Sequence, residues 1–92
     1  MEFEWDQKKA KINIQKHHVS FEEAATVFSD TLSFTYDDEA HSRNERRYAT
    51  LGMSNQGHVI VVEHTMGGER VRIISARTAT PREKRWYEEE RK

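Results

Sequence analysis

Two glycine-containing turns in the second half of the chain constrain the fold most strongly. One is Ser-Asn-Gln-Gly at 54–57 and the other is Met-Gly-Gly at 66–68. They separate three segments, 46–53, 58–65 and 69–77, whose residues are typical of β-strands. Short turns of this kind join neighbouring antiparallel strands. The pattern therefore predicts an antiparallel meander in this part of the chain.

A further strand is indicated upstream of the meander. Leu32, Phe34 and Tyr36 alternate with polar residues, which is the period of a strand with one buried face. The segment 38–45 that follows is polar, with Ala40 as its one apolar residue, and is predicted to be a loop. We therefore expect a small antiparallel sheet of about four strands.

Helix-capping residues predict three helices around this sheet. Candidate N-caps stand at Asp6, Ser20 and Thr80, each followed by a segment suited to a helix. Glu23 and Glu83 come three residues after the second and third caps and complete capping boxes. The expected architecture is α+β, with two N-terminal helices and one C-terminal helix.

Length and composition limit the possible functions. Ninety-two residues predict a single domain over 1–92. The absence of cysteine excludes disulfides, thiolate zinc sites and cysteine nucleophiles. The longest apolar run, 59–62, is too short to span a bilayer, so we expect a soluble cytoplasmic protein without a membrane partner. No two histidines have the helical spacing of a metal pair, and neither a metal nor another cofactor is expected.

Tight hairpins with tips at 55–56 and 67–68 would fix the strand register by counting. Arg47 would then lie opposite His64, and Glu63 would lie between Tyr48 and Arg72. One end of the sheet would carry a mixed set of polar side chains: Arg47, Tyr48, Glu63, His64, Arg70 and Arg72.

Such a set suits the cleavage of a phosphodiester. A base takes the 2′-hydroxyl proton, an acid protonates the leaving oxygen, and arginines stabilise the charged phosphorane. Two structural alternatives stay open. Glu63 and Arg72 fit an ordinary cross-strand ion pair, and His64 fits a half-buried strand residue.

The chain also resembles the BrnT family of toxins over nearly its whole length. The opening Phe3-Glu4-Trp5-Asp6 and the segment Arg-Ile-Ile-Ser-Ala-Arg at 72–77 carry the resemblance most specifically. His18 departs from the pattern, because the family commonly has glycine there. If that glycine forms a left-handed helix cap, His18 adopts a strained conformation.

The resemblance implies a type II toxin of RelE-like fold with ribonuclease activity that slows translation. It also implies a BrnA-like antitoxin, through which the toxin would meet operator DNA only indirectly. Motif positions of the family are matched by three arginines and three other residues: Arg47, Arg72, Arg77, His17, Glu83 and Tyr87.

Together, these observations predict a metal-independent endoribonuclease. Catalysis is assigned to the three motif arginines with Glu63 or His64 as base: Arg47, Glu63, His64, Arg72 and Arg77. Contacts to the RNA substrate are assigned to a second set: His17, Tyr48, Arg70, Glu83 and Tyr87. The alternative is a non-enzymatic module that binds RNA or protein through the same strands.

Overall fold

A computed structural model describes residues 1–90; Arg91 and Lys92, which the predicted domain includes, lie outside the described residues. The helices are α1 (Gln7–His17), α2 (Phe21–Thr26) and α3 (Pro81–Glu90), with short 3₁₀ turns at Val27–Ser29 and Glu39–His41. The strands are β1 (Glu2–Glu4), β2 (Phe34–Asp37), β3 (Tyr48–Met53), β4 (Val59–Gly67) and β5 (Arg70–Thr78). The α+β class and the three predicted helices are confirmed.

The sheet has five strands in the order β1-β5-β4-β3-β2, so the prediction of about four was wrong. The additional strand, β1, pairs in parallel with β5 from Glu2 opposite Arg70 to Glu4 opposite Arg72. It has three residues. A strand of that length is too short to show the alternation by which strands are recognised in a sequence.

The predicted caps are the ones that begin the helices. The Asp6 carboxylate accepts hydrogen bonds from the backbone N–H groups of Lys8 and Lys9 at 2.7 and 3.2 Å. The Ser20 hydroxyl accepts from the N–H of Glu23 at 3.0 Å, although the Glu23 carboxylate binds Ser54 instead of closing the capping box. These bonds satisfy donors that a helix leaves free at its N-terminus.

His18 ends α1 in the left-handed conformation that its departure from the family pattern predicts. Its φ and ψ are 59° and 30°, and its N–H donates to the carbonyl of Ile14 at 2.9 Å. A side chain with a Cβ is strained in this region, where glycine is not.

The predicted strand register was wrong. Tyr48, and not Arg47, pairs with His64, while Glu63 pairs with Ala49 on one side and Ser75 on the other. The first turn is one residue longer than predicted, and Gly57 within it adopts a φ of +81°. The second turn has its tip one residue later than predicted, because Gly67 already pairs with Arg70. Between β4 and β5 the pairing also shifts at Glu63/His64.

The sheet separates two environments. Its helical face, defined by Ile60, Val62, Ile73 and Ala76, packs against α1 and α2. The opposite face, which we term the open face, is covered at one end by α3, where Tyr87 packs with residues of β3 and β4. The remainder of the open face carries polar side chains. No helix within residues 1–90 is long and apolar enough to cross a membrane.

Candidate active site

A cavity of about 400 Å³ lies on the open face. Its apolar lining is Ala49 of β3 and Val61 of the central strand β4. Seven polar side chains from β2, β4, β5, α1 and the 38–47 loop surround it: His17, Tyr36, Asp38, His41, Glu63, Ser75 and Arg77. Strand alternation explains why Glu63 and Arg77 are here, since their neighbours Val62 and Ala76 point into the core.

The position of His17 depends on a buried asparagine one helical turn earlier. Asn13 donates from Nδ2 to the carbonyls of Val19 and Ala76 at 2.9 and 2.8 Å. Its Oδ1 accepts from the N–H of Ala76 at 3.1 Å. Asn13 thereby pairs with the backbone groups of Ala76, at a part of β5 that β1 does not cover. These bonds also fix the end of α1 beside the cavity.

Arg77 is held by a two-point ion pair with Glu83. Its Nη1 and Nη2 donate to the two carboxylate oxygens at 2.7 and 3.0 Å. Glu83 also accepts from the N–H of Thr80 at 2.9 Å, and the Thr80 hydroxyl accepts from the N–H of Glu83. The hydrogen bond with Arg77 is the main cause that lowers the pKa of Glu83 to about 2. The guanidinium is thus fixed, and with 43% of the Arg77 side chain exposed it is accessible to a ligand.

Glu63 and Asp38 form a hydrogen-bonded carboxyl pair at the cavity wall. Burial is the main cause that raises the pKa of Glu63, and its hydrogen bond with Asp38 raises it further. The same hydrogen bond is the main cause that lowers the pKa of Asp38. The hydrogen bond between the two carboxyls therefore moves their pKa values apart, with that of Glu63 the higher.

Two cationic or potentially cationic groups contact this pair. His41 places Nδ1 at 2.9 Å from Asp38 Oδ2 and at 3.6 Å from Glu63 Oε2. Arg47 Nη1 lies 3.5 Å from Glu63 Oε1. The Nε of Arg47 is buried and has no hydrogen-bond partner within the described residues. The positive charge of these groups favours the ionised form of Glu63 and opposes the effect of burial.

Tyr36 reaches the cavity from the edge strand β2, where it pairs with Ala49. Burial, followed by the negative charge of Glu83, raises the pKa of its phenol. The hydroxyl is therefore protonated at neutral pH and available as a hydrogen-bond donor.

The cavity also contains the one group of possible metal ligands found within residues 1–90. Asp38, His41 and Glu63 each offer one donor atom, and these atoms lie within 4.8 Å of one another. The nearby guanidinium of Arg47 already supplies positive charge to Glu63. The expectation that no metal is used stays a prediction.

Five of the residues predicted for the site meet at this cavity: His17, Arg47, Glu63, Arg77 and Glu83. His64 does not. It is fully buried on the helical face, with Nε2 at 2.7 Å from the Thr50 hydroxyl and its ring against Phe28. Burial is the main cause that lowers the pKa of its imidazole. The single-residue error in register had placed it beside Arg47.

The four other predicted residues lie elsewhere. Arg72 pairs with Glu45, and Arg70 lies 3.5 Å from Glu4 at the far end of β5. Tyr48 stacks on the ring of His64. Tyr87 is 1% exposed and donates from its hydroxyl to Asp30, so it anchors α3 in the core.

Sequence reasoning missed four residues of the cavity: Tyr36, Asp38, His41 and Ser75. Tyr36 had a usable signal, because the alternation of β2 already placed it on one face with Phe34. His41 and Asp38 lie at a loop without periodicity, where no pattern reports which side chains turn toward the sheet.

Comparisons with known proteins agree on one relationship. A family model described as the ribonuclease toxin BrnT of type II toxin–antitoxin systems matches residues 5–83. Among solved structures, the Brucella abortus ribonuclease toxin BrnT is similar with a TM-score of 0.67 and 26% sequence identity. That match covers 87% of this chain and 97% of the Brucella chain. No curated protein matches the chain.

Proposed function

The chain belongs to the BrnT family of ribonuclease toxins of type II toxin–antitoxin systems, and on this basis we propose that it is a metal-independent endoribonuclease acting through the open-face cavity. One observation carries the proposal. A carboxyl of raised pKa, Glu63, and a fixed, accessible guanidinium, Arg77, line the same cavity. Glu63 could act as the base and Arg77 could bind the phosphate of the same nucleotide.

In the proposed reaction, ionised Glu63 takes the proton of the ribose 2′-hydroxyl. The 2′-oxygen attacks the phosphorus, the bond to the 5′-oxygen breaks, and a 2′,3′-cyclic phosphate forms. His41, as an imidazolium held by Asp38, protonates the leaving 5′-oxygen. Arg77 and Arg47 stabilise the negative charge of the phosphorane, which supplies the electrostatic role that a metal ion plays in other nucleases.

The partners follow from the same assignment. A type II system contains a protein antitoxin, and we propose that this one is BrnA-like and brings the toxin to operator DNA only indirectly. RNA is the proposed substrate, and the cytoplasm is the proposed site of action. An antitoxin that covers the cavity would need acidic side chains to pair with its arginines.

The proposal is tested with purified protein and RNA in excess EDTA. Cleavage is expected to continue, and Glu63→Gln is expected to slow it at least about 100-fold. Glu22→Gln, which alters an exposed glutamate of α2, serves as the matched control and should cleave normally. A folded Glu63→Gln protein of full activity would show that Glu63 is not the base. Activity lost in EDTA and restored by a divalent metal would refute metal independence.

The pH dependence provides a second test. A general base acts when ionised, so the cleavage rate should rise with pH through the apparent pKa of the Glu63–Asp38 pair. Because the pKa of Glu63 is raised above its ordinary value of 4.5, this rise should lie above that pH. If free RNA is not cleaved, the assay is repeated with translating ribosomes. Binding without cleavage in both assays would favour the non-enzymatic module.

A further inference from the structure

Three aromatic side chains meet where the edge strand β2 contacts α3. The ring centroids of Phe34 and Trp86 are 4.6 Å apart, and those of Tyr36 and Trp86 are 5.3 Å apart. Phe34 and Tyr36 are half-buried, whereas Trp86 is 39% exposed. We call these three residues the aromatic cluster.

The anchoring of α3 to the sheet does not explain why Trp86 is exposed. Its neighbour Tyr87 is 1% exposed and donates a hydrogen bond to Asp30, so this residue already fixes the helix to the sheet. A large aromatic side chain that remains accessible beside such an anchor offers a π-face to a ligand.

The aromatic cluster is continuous with the cavity. Tyr36 belongs to both, because it lines the cavity with Glu63 and Arg77 while its ring packs against Trp86. A nucleotide whose phosphate is bound by Arg77 would therefore have an aromatic surface directly beside it.

The charges on α3 favour an anionic ligand at one side of the aromatic cluster. Arg82 stands four residues before Trp86 and hence on the same helix face, and Arg85 precedes it directly. Both side chains are exposed. Glu88 and Glu89 follow toward the C-terminal end and would repel phosphate. Aromatic rings flanked by arginines are a common arrangement for binding single-stranded nucleic acid.

We propose that the aromatic cluster is a stacking subsite for an unpaired nucleobase of the RNA substrate, with Trp86 as its main contact. The identity of the ligand as RNA rests on the proposed function. Stacking on an aromatic face tolerates any base, so the subsite selects single-stranded over paired RNA and not a particular sequence. The flanking phosphate lies toward Arg82.

Tryptophan fluorescence tests the proposal without altering Trp86. The chain has two tryptophans, and Trp5→Phe leaves Trp86 as the sole reporter. The protein is titrated with a 2′-O-methyl oligoribonucleotide, which lacks the attacking hydroxyl, and with an abasic oligomer of equal phosphate number. The oligonucleotide with bases should quench Trp86, and the abasic oligomer should not.

Two variants of Trp86 complete the test. Trp86→Phe keeps an aromatic face and should bind the oligonucleotide almost as the parent does, whereas Trp86→Leu should bind about 10-fold more weakly. Circular dichroism melts establish that both variants fold. Equal quenching by the abasic oligomer, or equal affinity of the two variants, would overturn the proposal. A change in Trp86 fluorescence on adding the antitoxin but not on adding the oligonucleotide would overturn it in favour of a protein contact.

The outcome separates this inference from the proposed function. If the oligonucleotide with bases quenches Trp86 but the protein cleaves no RNA, the result would support the subsite and contradict the nuclease proposal. Cleavage with the same KM in the Phe and Leu variants would support the nuclease and contradict the subsite.

Discussion

Replacing Glu83 with glutamine keeps the shape of the side chain and removes the charge that holds Arg77. A pKa lowered from 4.5 to about 2 corresponds to a preference of about 3 kcal/mol for the ionised carboxylate, at ~1.4 kcal/mol per pH unit. Arg77 is 43% exposed, and solvent screens part of this interaction. We therefore expect Glu83→Gln to lower the free energy of unfolding by about 1–2 kcal/mol at neutral pH.

The effect should depend on pH with a defined sign. The pKa of Glu83 is lower in the folded than in the unfolded chain. The stabilisation of the folded state by Glu83 is therefore complete above pH 4.5 and disappears as the pH falls toward about 2. Urea denaturation near neutral pH and at about pH 2.5 should give a gap between the two proteins that shrinks in acid. Glu22→Gln is the control. An equal gap at both pH values would refute the assigned role of the ion pair.

Three further substitutions have predictable effects on the free energy of unfolding, each measurable by urea denaturation. In Gly52→Ala the new Cβ would lie 2.6 Å from Ser33 Cβ, and we expect a loss of about 1–3 kcal/mol. Gly67→Ala, which meets no atom within 4 Å, should change stability by less than about 0.5 kcal/mol, and an equal loss in both would contradict the steric explanation. Asn13→Ala should cost at least about 2 kcal/mol because it leaves buried backbone groups of β5 unpaired, and a neutral result would show that water replaces them. His18→Gly should gain about 1 kcal/mol by relieving the left-handed strain, whereas a loss would mean that the imidazole makes a compensating contact.

The helix boundaries could be predicted because their causes are local. Each cap at Asp6, Ser20 and Thr80 depends on a side chain and backbone groups within three residues, and such interactions are visible in the sequence. The register of the strands could not be predicted in the same way. It depends on the conformation of single turn residues such as Gly57, and one extra residue moves every side chain of a strand to the other face.

The candidate site could be predicted only in part, because some of its residues come together only in the folded sheet. Glu63 and Arg77 carried recognisable chemistry, and the family resemblance singled out His17 before any geometry was known. Tyr36 and His41 are separated from Glu63 by more than 20 residues, and only the folded sheet brings them together. Conversely, His64 is fully buried, which fits the alternative of a strand residue in the interior better than a role at the cavity.

Ile74, which the pairing of β4 and β5 passes over, decides what β5 presents to solvent. With uninterrupted alternation, Arg70 and Arg72 would share a side with Ala76 and lie under the helices. Since one residue is skipped, both arginines appear on the same side as Arg77, and the two halves of the strand are joined out of phase. Deleting Ile74 would therefore leave an uninterrupted strand with all three arginines still on one side, whereas drawing Ile74 into the pairing would turn Arg70 and Arg72 toward the helices. The outward orientation of these two arginines thus depends on Ile74 staying outside the ladder.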